Sequence, residues 1–382
     1  MVLADLGAEV ICIEDPTYPF TRPPPFYQVG RQMLSGFSAE VLRNKFSVTL
    51  DLKKPGAREI LVKLIQSADV FLESFRPGVA TKLGLDYNTV KEHNPHLIYC
   101  SLTGYGQTGP YRLLPGHDIN YAGLAGSVDF NRPRTPSSDS NPAPSDPIPP
   151  GLQAADSAGG LYAAIGILAA IIDRNKQPDH PGQYLDIAIL DSAFSLMTLA
   201  ASYHFSQYRE SPNPFHGIYP FYTVYRTQDD KHLSLGALEP KFWGEFCKAI
   251  GLPDLSGLQF ATGNEREDVF QKVQDRLLEK TQTEWLQIFQ NYDTCVMPIL
   301  SFADACTNAQ IQARNMVINT PHAPFLQLQN VASPIKSNRY PDPLPIRHIC
   351  PNPGEHNIPI LQSLGFSDNQ IKEFKKQGLF SP

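Results

Sequence analysis

The sequence is poor in cysteine. It has six in 382 residues: Cys12, Cys100, Cys247, Cys295, Cys306 and Cys350. No two stand in C-x-x-C spacing, which argues against zinc-ribbon and thioredoxin-like chemistry. So wide a scatter fits reduced thiols in a soluble, intracellular protein. Long apolar runs are missing too. The longest, residues 159–172, has 14 residues, short of the roughly 18 a bilayer span needs, and it reads as a buried helix over 157–173. The start is not an apolar signal segment, and the end, LFSP, is not a peroxisomal tripeptide. The compartment, cytoplasm or the matrix of a mitochondrion or peroxisome, stays open. There is no Walker loop, no G-x-G-x-x-G and no internal repeat, so ATP and NAD lack support. Charged residues make up only 18%, with a net charge of −6. That argues against a general nucleic-acid binder and leaves room for a local basic pocket around a phosphorylated ligand.

What is present is a globular pattern. Hydrophobic residues make up 42%, and the length suits two domains better than one core. The opening MVLADLGAEVICIE reads as a helix end, a stop at Gly7 and a strand at about Val10–Ile13. AREILVKLIQSA (57–68) puts Ile60, Leu61, Leu64 and Ile65 on one helical face. DVFLE (69–73) and LIYCSL (97–102) read as buried strands, and YLDIAIL (184–190) as a further one. This βαβα alternation predicts an α/β fold with a doubly wound, Rossmann-like parallel sheet. Ligands in such sheets sit at the carboxyl ends of strands, here after Glu73 and after Leu102. Residues 131–151 hold seven prolines and predict an exposed irregular loop.

From about Pro214 the pattern changes. Segments 220–227 and 231–238 predict a hairpin, followed by helices at 240–251, 266–280 and 284–292. We therefore divide the chain into a large domain over 1–195, a smaller α+β domain over 214–310, and a segment over 311–382 that returns to the large domain. The last helix, 367–378, carries a Ser/Asp cap and a glycine stop.

Four polar groups stand among apolar or glycine neighbours. Asp156, before the small apolar helix, is either an N-cap or a carboxylate base or nucleophile, with Gly159 and Gly160 allowing close approach of a ligand. His117 is either a hydrogen-bonded loop histidine or an acid–base near neutral pH. Asp118 caps a helix or orients a neighbour. Glu239 ends a strand before Pro240 and either favours the helix dipole or raises the basicity of a histidine. Arg43, Lys45, Lys53, Arg76 and Lys82 are either solvated surface charge or a pocket for the phosphates of a nucleotide-like carrier.

Eight phrases taken together resemble the family III CoA-transferases (CaiB/BaiF): ADLGAEVICIE, RNKFSVTLDLKKPG, ESFRPGVATKLGL, LIYCSLTGYGQTGP, GHDINYAGLAG, HPGQYLDIAILDS, GALEPKFW and DTCVMPILSFADA. The GHDINY and GALEP phrases look like the α-methylacyl-CoA racemase branch. That resemblance implies an isomerase that moves a proton on and off C2 of a 2-methylacyl-CoA, interconverting the (2R) and (2S) epimers. His117 and Asp156 would act on opposite faces of an enolate, and Glu239 would assist His117. The alternative within the family is a CoA transferase with Asp156 as nucleophile, which leaves His117 and Glu239 unexplained. A third reading is an inactive acyl-CoA-binding protein. The resemblance implies CoA contacts at Leu50, Asp51, Leu52 and Lys53, at Ser74, Phe75 and Arg76, at Lys82, and at Gly116, Asp118, Ile119, Asn120 and Tyr121. It implies no metal and no cofactor beyond the CoA thioester substrate, no nucleic-acid or membrane partner, and an interlaced homodimer with the active site at its interface.

Three features depart from the family pattern. The strand, turn and half-helix that usually precede ADLGAEV are missing here, so the expectation is an exposed sheet edge and a poorly folding or inactive chain. Asp15 stands where racemases often carry a basic CoA contact. The proline-rich loop is longer than usual, and we expect it to bulge outward.

Overall fold

The structure, a computed structural model, describes residues 1–17, 22–29, 32–131, 145–206, 217–323 and 326–380. Most of the proline-rich loop, 132–144, lies outside the described residues. Two compact units emerge. The first comprises Met1–Thr103, Leu161–Ile187 and Phe302–Pro382. The second comprises Gly104–Gly160 and Ala188–Ser301.

Short, apolar strands set the first unit. Ile11–Glu14 pairs in parallel with Phe46–Thr49, and Val70–Glu73 in parallel with Ile98–Thr103, whose other neighbour is Gln183–Ala188. Of these, Ile98–Thr103 is buried along nearly its whole length and reads as a hydrophobic run. The helix Ala57–Ser67 lays Ile60, Leu61, Leu64 and Ile65 onto Val48, Leu50 and Tyr99. Helices Asn357–Ser363 and Asp368–Lys376 bring Ile360, Leu361, Ile371 and Phe374 into that same core. Ser367 caps the last helix through the Gln370 N–H, and Gln370 reciprocates at Ser367, the two-way bonding of a capping box. Gly7 adopts φ 110° just past Val2–Asp5, a conformation that favours glycine as the stop.

Arg43 does not reach solvent. It is 1% exposed and donates to Asp5 and Glu40, while Asn44 also donates to Asp5 at 2.8 Å. The phosphate-pocket reading of Arg43 is thereby overturned, because its guanidinium is already spent on two carboxylates. Two antiparallel hairpins were not anticipated: Phe26–Val29 with Gln32–Ser35, and Val317–Ala323 with Leu326–Val331. The prolines in PHAPF hid the second, since proline usually marks a sequence as non-strand.

The second unit contains a three-stranded antiparallel sheet, Tyr222–Arg226, His232–Gly236 and Val296–Ile299, with the predicted hairpin paired from Tyr222↔Gly236 to Arg226↔His232. Helices Pro240–Ala249, Gly263–Leu277 and Gln282–Phe289 bury Trp243, Phe246, Val273, Leu277 and Trp285 against it. Both indole N–H groups are satisfied: Trp243 donates to the Leu255 carbonyl and Trp285 to the Leu277 carbonyl, each at 2.9 Å, as buried tryptophans require.

The long helix corrects the sequence reading twice. It runs Ala154–Lys176, 23 residues, because Ala154 and Ala155 extend it upstream. By length and apolar content it could cross a bilayer, whereas the 14-residue run alone could not. It is also not buried all round. Ala163 and Ile167 pack beside Cys100, Leu185 and Ile187, as a helix laid on a sheet does. Leu161, Ile165, Leu168 and Ile172 form an apolar stripe at helical spacing that this single chain leaves exposed, Ile165 at 60%.

Candidate active site

His117 and Asp156 come together in the second unit through two helix starts. The helix Asp118–Leu124 follows extended His117, whose N–H donates to Asn120 Oδ1 at 3.0 Å. Tyr121 and Ala122 from this helix pack on Ala155 at the head of the long helix and on Ala193. This small-residue contact needs close approach, which is why the sequence around it is rich in alanine and glycine. Tyr121 is fixed twice over. Its hydroxyl donates to the Gly116 carbonyl at 2.7 Å, and its ring lies where a side chain on Gly104 or Gly116 would go. A Cβ built on Gly104 would fall 2.6 Å from Tyr121 Cε1, and one on Gly116 would fall 2.8 Å from it. These glycines are required by close approach, and the ring they admit packs beside the pair that follows Gly116, His117 and Asp118.

Asp156 is the third residue of its helix, which overturns its reading as an N-cap. Its main-chain N–H donates to Asp118 Oδ1 at 2.9 Å. Asp118 is buried, whereas His117 and Asp156 are open to solvent in the single chain. Even so, the Asp156 carboxyl is held above the ordinary aspartate range. Partial desolvation by the surrounding protein is the first cause and the Asp118 charge the second, with His117 opposing. The arrangement therefore offers two exchangeable proton carriers, an imidazole and a carboxyl of heightened basicity, anchored by a third group beneath. The Asp156 N–H is already committed to Asp118, so it is not a donor for a developing oxyanion.

Glu239 opens the helix Pro240–Ala249 as its N-cap residue, with its carbonyl accepting from the N–H groups of Phe242 and Trp243, but it does not end a strand, since His232–Gly236 stops three residues earlier. Its side chain is exposed and faces Cys295, whose thiol is pushed up first by burial and then by Glu239. Among the described residues, no hydrogen bond or ion pair joins Glu239 to His117 or Asp156.

The remaining positions divide. Leu50 is in the core of the first unit, and Leu52 packs against that core. Asp51 Oδ1 accepts from the Lys53 N–H at 3.1 Å, and the Lys53 side chain is exposed. Ser74, Phe75 and Arg76 follow the carboxyl end of Val70–Glu73, with the Phe75 N–H donating to buried Glu73 at 2.7 Å. Lys82 is exposed in the last turn of Val79–Leu83. In the second unit Ile119 and Asn120 are exposed beside His117. Asp15 turns onto its own loop, accepting from the Thr17 N–H and hydroxyl at 2.8 and 2.7 Å. The Asp118–Asp156 tie was not foreseen. It joins residues 38 apart, across the proline-rich segment, and no local pattern announces it.

Residues 1–357 match the model of CoA-transferase family III. The chain belongs to CoA-transferase family III. Among its family relatives, it is 33% identical over 377 residues to the alpha-methylacyl-CoA racemase of Homo sapiens, covering 97% of this chain and 90% of that protein. It is 29% identical to the succinyl-CoA:glutarate CoA-transferase of Homo sapiens, covering 99% and 85%. A solved CaiB/BaiF family protein from Brucella suis superposes with a TM-score of 0.77 at 29% identity, covering 95% of this chain and 93% of that one. Family membership makes the chain an enzyme of this class, with relatives on both the racemase and the transferase side.

Proposed function

We propose that this chain is a 2-methylacyl-CoA racemase. The observation that carries the reading is the pairing of two proton carriers, His117 and Asp156, over a buried third group, Asp118. A transferase needs only the Asp156 nucleophile, whereas epimerisation needs a group on each side of the reacting carbon. One base removes the C2 proton, and the C–H electron pair moves into the thioester carbonyl to give an enolate. The conjugate acid on the other side then returns a proton to C2. The net change is inversion at C2 with no redox step and no cofactor besides the CoA thioester itself. The enolate oxygen draws its hydrogen bond from a donor other than the Asp156 N–H, which Asp118 occupies.

We assign the carrier to Leu50–Lys53, Ser74–Arg76, Lys82 and Gly116–Tyr121 by family resemblance, within a doubly wound large domain. We further assign Glu239 of a second copy to His117 in an interlaced homodimer. The exposed stripe of Leu161, Ile165, Leu168 and Ile172 supports a second copy, since apolar faces of that size mark interaction surfaces.

The test is incubation of the purified chain with one epimer of a 2-methylacyl-CoA in deuterated water. Deuterium uptake at C2 with appearance of the other epimer, lost in His117→Ala and in Asp156→Ala, is the expected result. Acyl transfer to a free acid that survives His117→Ala, without C2 exchange, would replace this reading with the transferase one, which the similarity to the succinyl-CoA:glutarate enzyme makes the natural second.

A further inference from the structure

The pairing of His117 with Asp156 gives the Asp118 carboxylate no part in the proton transfer. Its surroundings give it one. Asp118 is 9% exposed, and among the described residues no lysine or arginine forms an ion pair with it. A buried carboxylate without a cation is costly. It accepts a hydrogen bond from the Asp156 N–H, 2.9 Å long. An asparagine would accept that bond equally well through its amide oxygen. The bond explains a polar group at this position, and it does not explain a charged one.

The charge has a visible recipient. Asp156 projects from the residue whose main chain Asp118 holds, so the two carboxyl groups are fixed as neighbours. We propose that Asp118 is a positioning residue for Asp156: it pins the Asp156 main chain at the head of the long helix, and its negative charge makes Asp156 the stronger proton acceptor for the substrate. The inference rests on the acid–base reading of Asp156 given above. The direction of the Asp156 titration agrees, since the nearby Asp118 charge adds to desolvation in raising it. The charged groups that act on Asp156 are Asp118 and His117, and His117 works in the opposite sense. A weakly acidic C2 proton calls for a base stronger than a free carboxylate, and a fixed like charge is a direct way to make one.

Asp118→Asn keeps the hydrogen bond and removes the charge. Asp118→Ala removes both. Two readouts on the 382-residue chain decide the matter. The first is C2 deuterium exchange against pH. In Asp118→Asn the acidic limb moves to lower pH, and the rate on the plateau falls about tenfold with little change in KM. In Asp118→Ala the plateau falls further, because the helix head is released. The second is the carboxyl-carbon NMR titration of Asp156 in the substrate-free protein, assigned by difference against Asp156→Asn. It is expected above the ordinary aspartate range in the natural chain and lower in Asp118→Asn.

An active Asp118→Asn chain with an unmoved acidic limb would overturn the proposal. So would an Asp156 titration in the ordinary range in the natural chain, a result that stands even if neither variant folds. Failure of the racemase reading looks different: no C2 exchange at any pH from the natural chain, with Asp156 still titrating high.

Discussion

Two buried aspartates keep opposite company. In the first unit Asp5 accepts from Arg43 and Asn44, and Arg43 also reaches Glu40. In the second unit Asp118 accepts from a main-chain N–H and stands next to another carboxyl. The first arrangement neutralises charge and holds helix Gly36–Val41 and the Val2–Asp5 turn to their surroundings. The second concentrates charge of one sign at a small cluster open to solvent. A protein gains nothing in stability by crowding carboxylates, so the second arrangement is the one to read for chemistry.

The contrast can be broken from either side. The largest effect is expected at the crowded cluster. His117→Ala and Asp156→Ala should each lower C2 exchange by about a thousandfold while cooperative unfolding is retained, because both side chains are exposed. Exchange within tenfold of the natural chain in either variant would remove that residue from the chemistry.

The neutralised cluster should respond in stability instead. Arg43→Ala leaves Asp5 buried without its cation and should cost about 3–5 kcal/mol, read as a lower urea midpoint. A loss below about 1 kcal/mol would mean that water reaches Asp5 once the guanidinium is gone.

Acid sharpens the contrast further. His356 Nδ1 accepts from the Ser47 N–H at 3.1 Å, a bond only an unprotonated nitrogen can accept. Burial holds the ring below the usual histidine range, with Glu355 opposing and His348 adding. Its contribution to stability is therefore present above about pH 6.5 and lost as pH falls through the folded-state value. Asp156 has the opposite sign. Its raised folded-state value favours the protonated form, so its contribution is present at low pH and lost as pH rises through that value. Urea titrations at pH 7.5 and pH 5.5 should show a weaker fold at the lower pH, with the difference reduced in His356→Gln. An unchanged difference in that variant would clear His356 of responsibility.

The smallest effect belongs to a pair at the surface. Arg174 meets Asp69 at 2.8 Å, but Asp69 is 76% exposed, so Asp69→Asn should change stability by less than about 1 kcal/mol.

Elements built on local periodicity were readable in the sequence. The helix expected over 57–68 is Ala57–Ser67, the strand expected over 69–73 is Val70–Glu73, and the hairpin and its following helices lie where the pattern put them. Family membership was readable as well, from phrases spread along most of the chain. What escaped was set by tertiary contact. Arg43 looks like a surface cation until Asp5 is brought to it from 38 residues upstream. The apolar helix looks buried because hydrophobicity does not say which partner covers it. Asp156 looks like a cap because the two alanines before it were read as loop. Asp118 and Asp156 look independent because their hydrogen bond depends on Tyr121 and Ala155 packing together first.

The ring of Tyr121, wedged against two glycines, has a consequence for inherited or engineered variation. In a saturation screen, Gly104 and Gly116 should come out nearly intolerant, because even a methyl group would drive Tyr121 out of its seat and tilt His117 with it. Gly123, two residues past Tyr121, faces open space and should accept alanine quietly. Three glycines within twenty residues would thus carry very different diagnostic weight, and a variant of uncertain meaning here should be judged by whether an aromatic ring already fills the room it asks for.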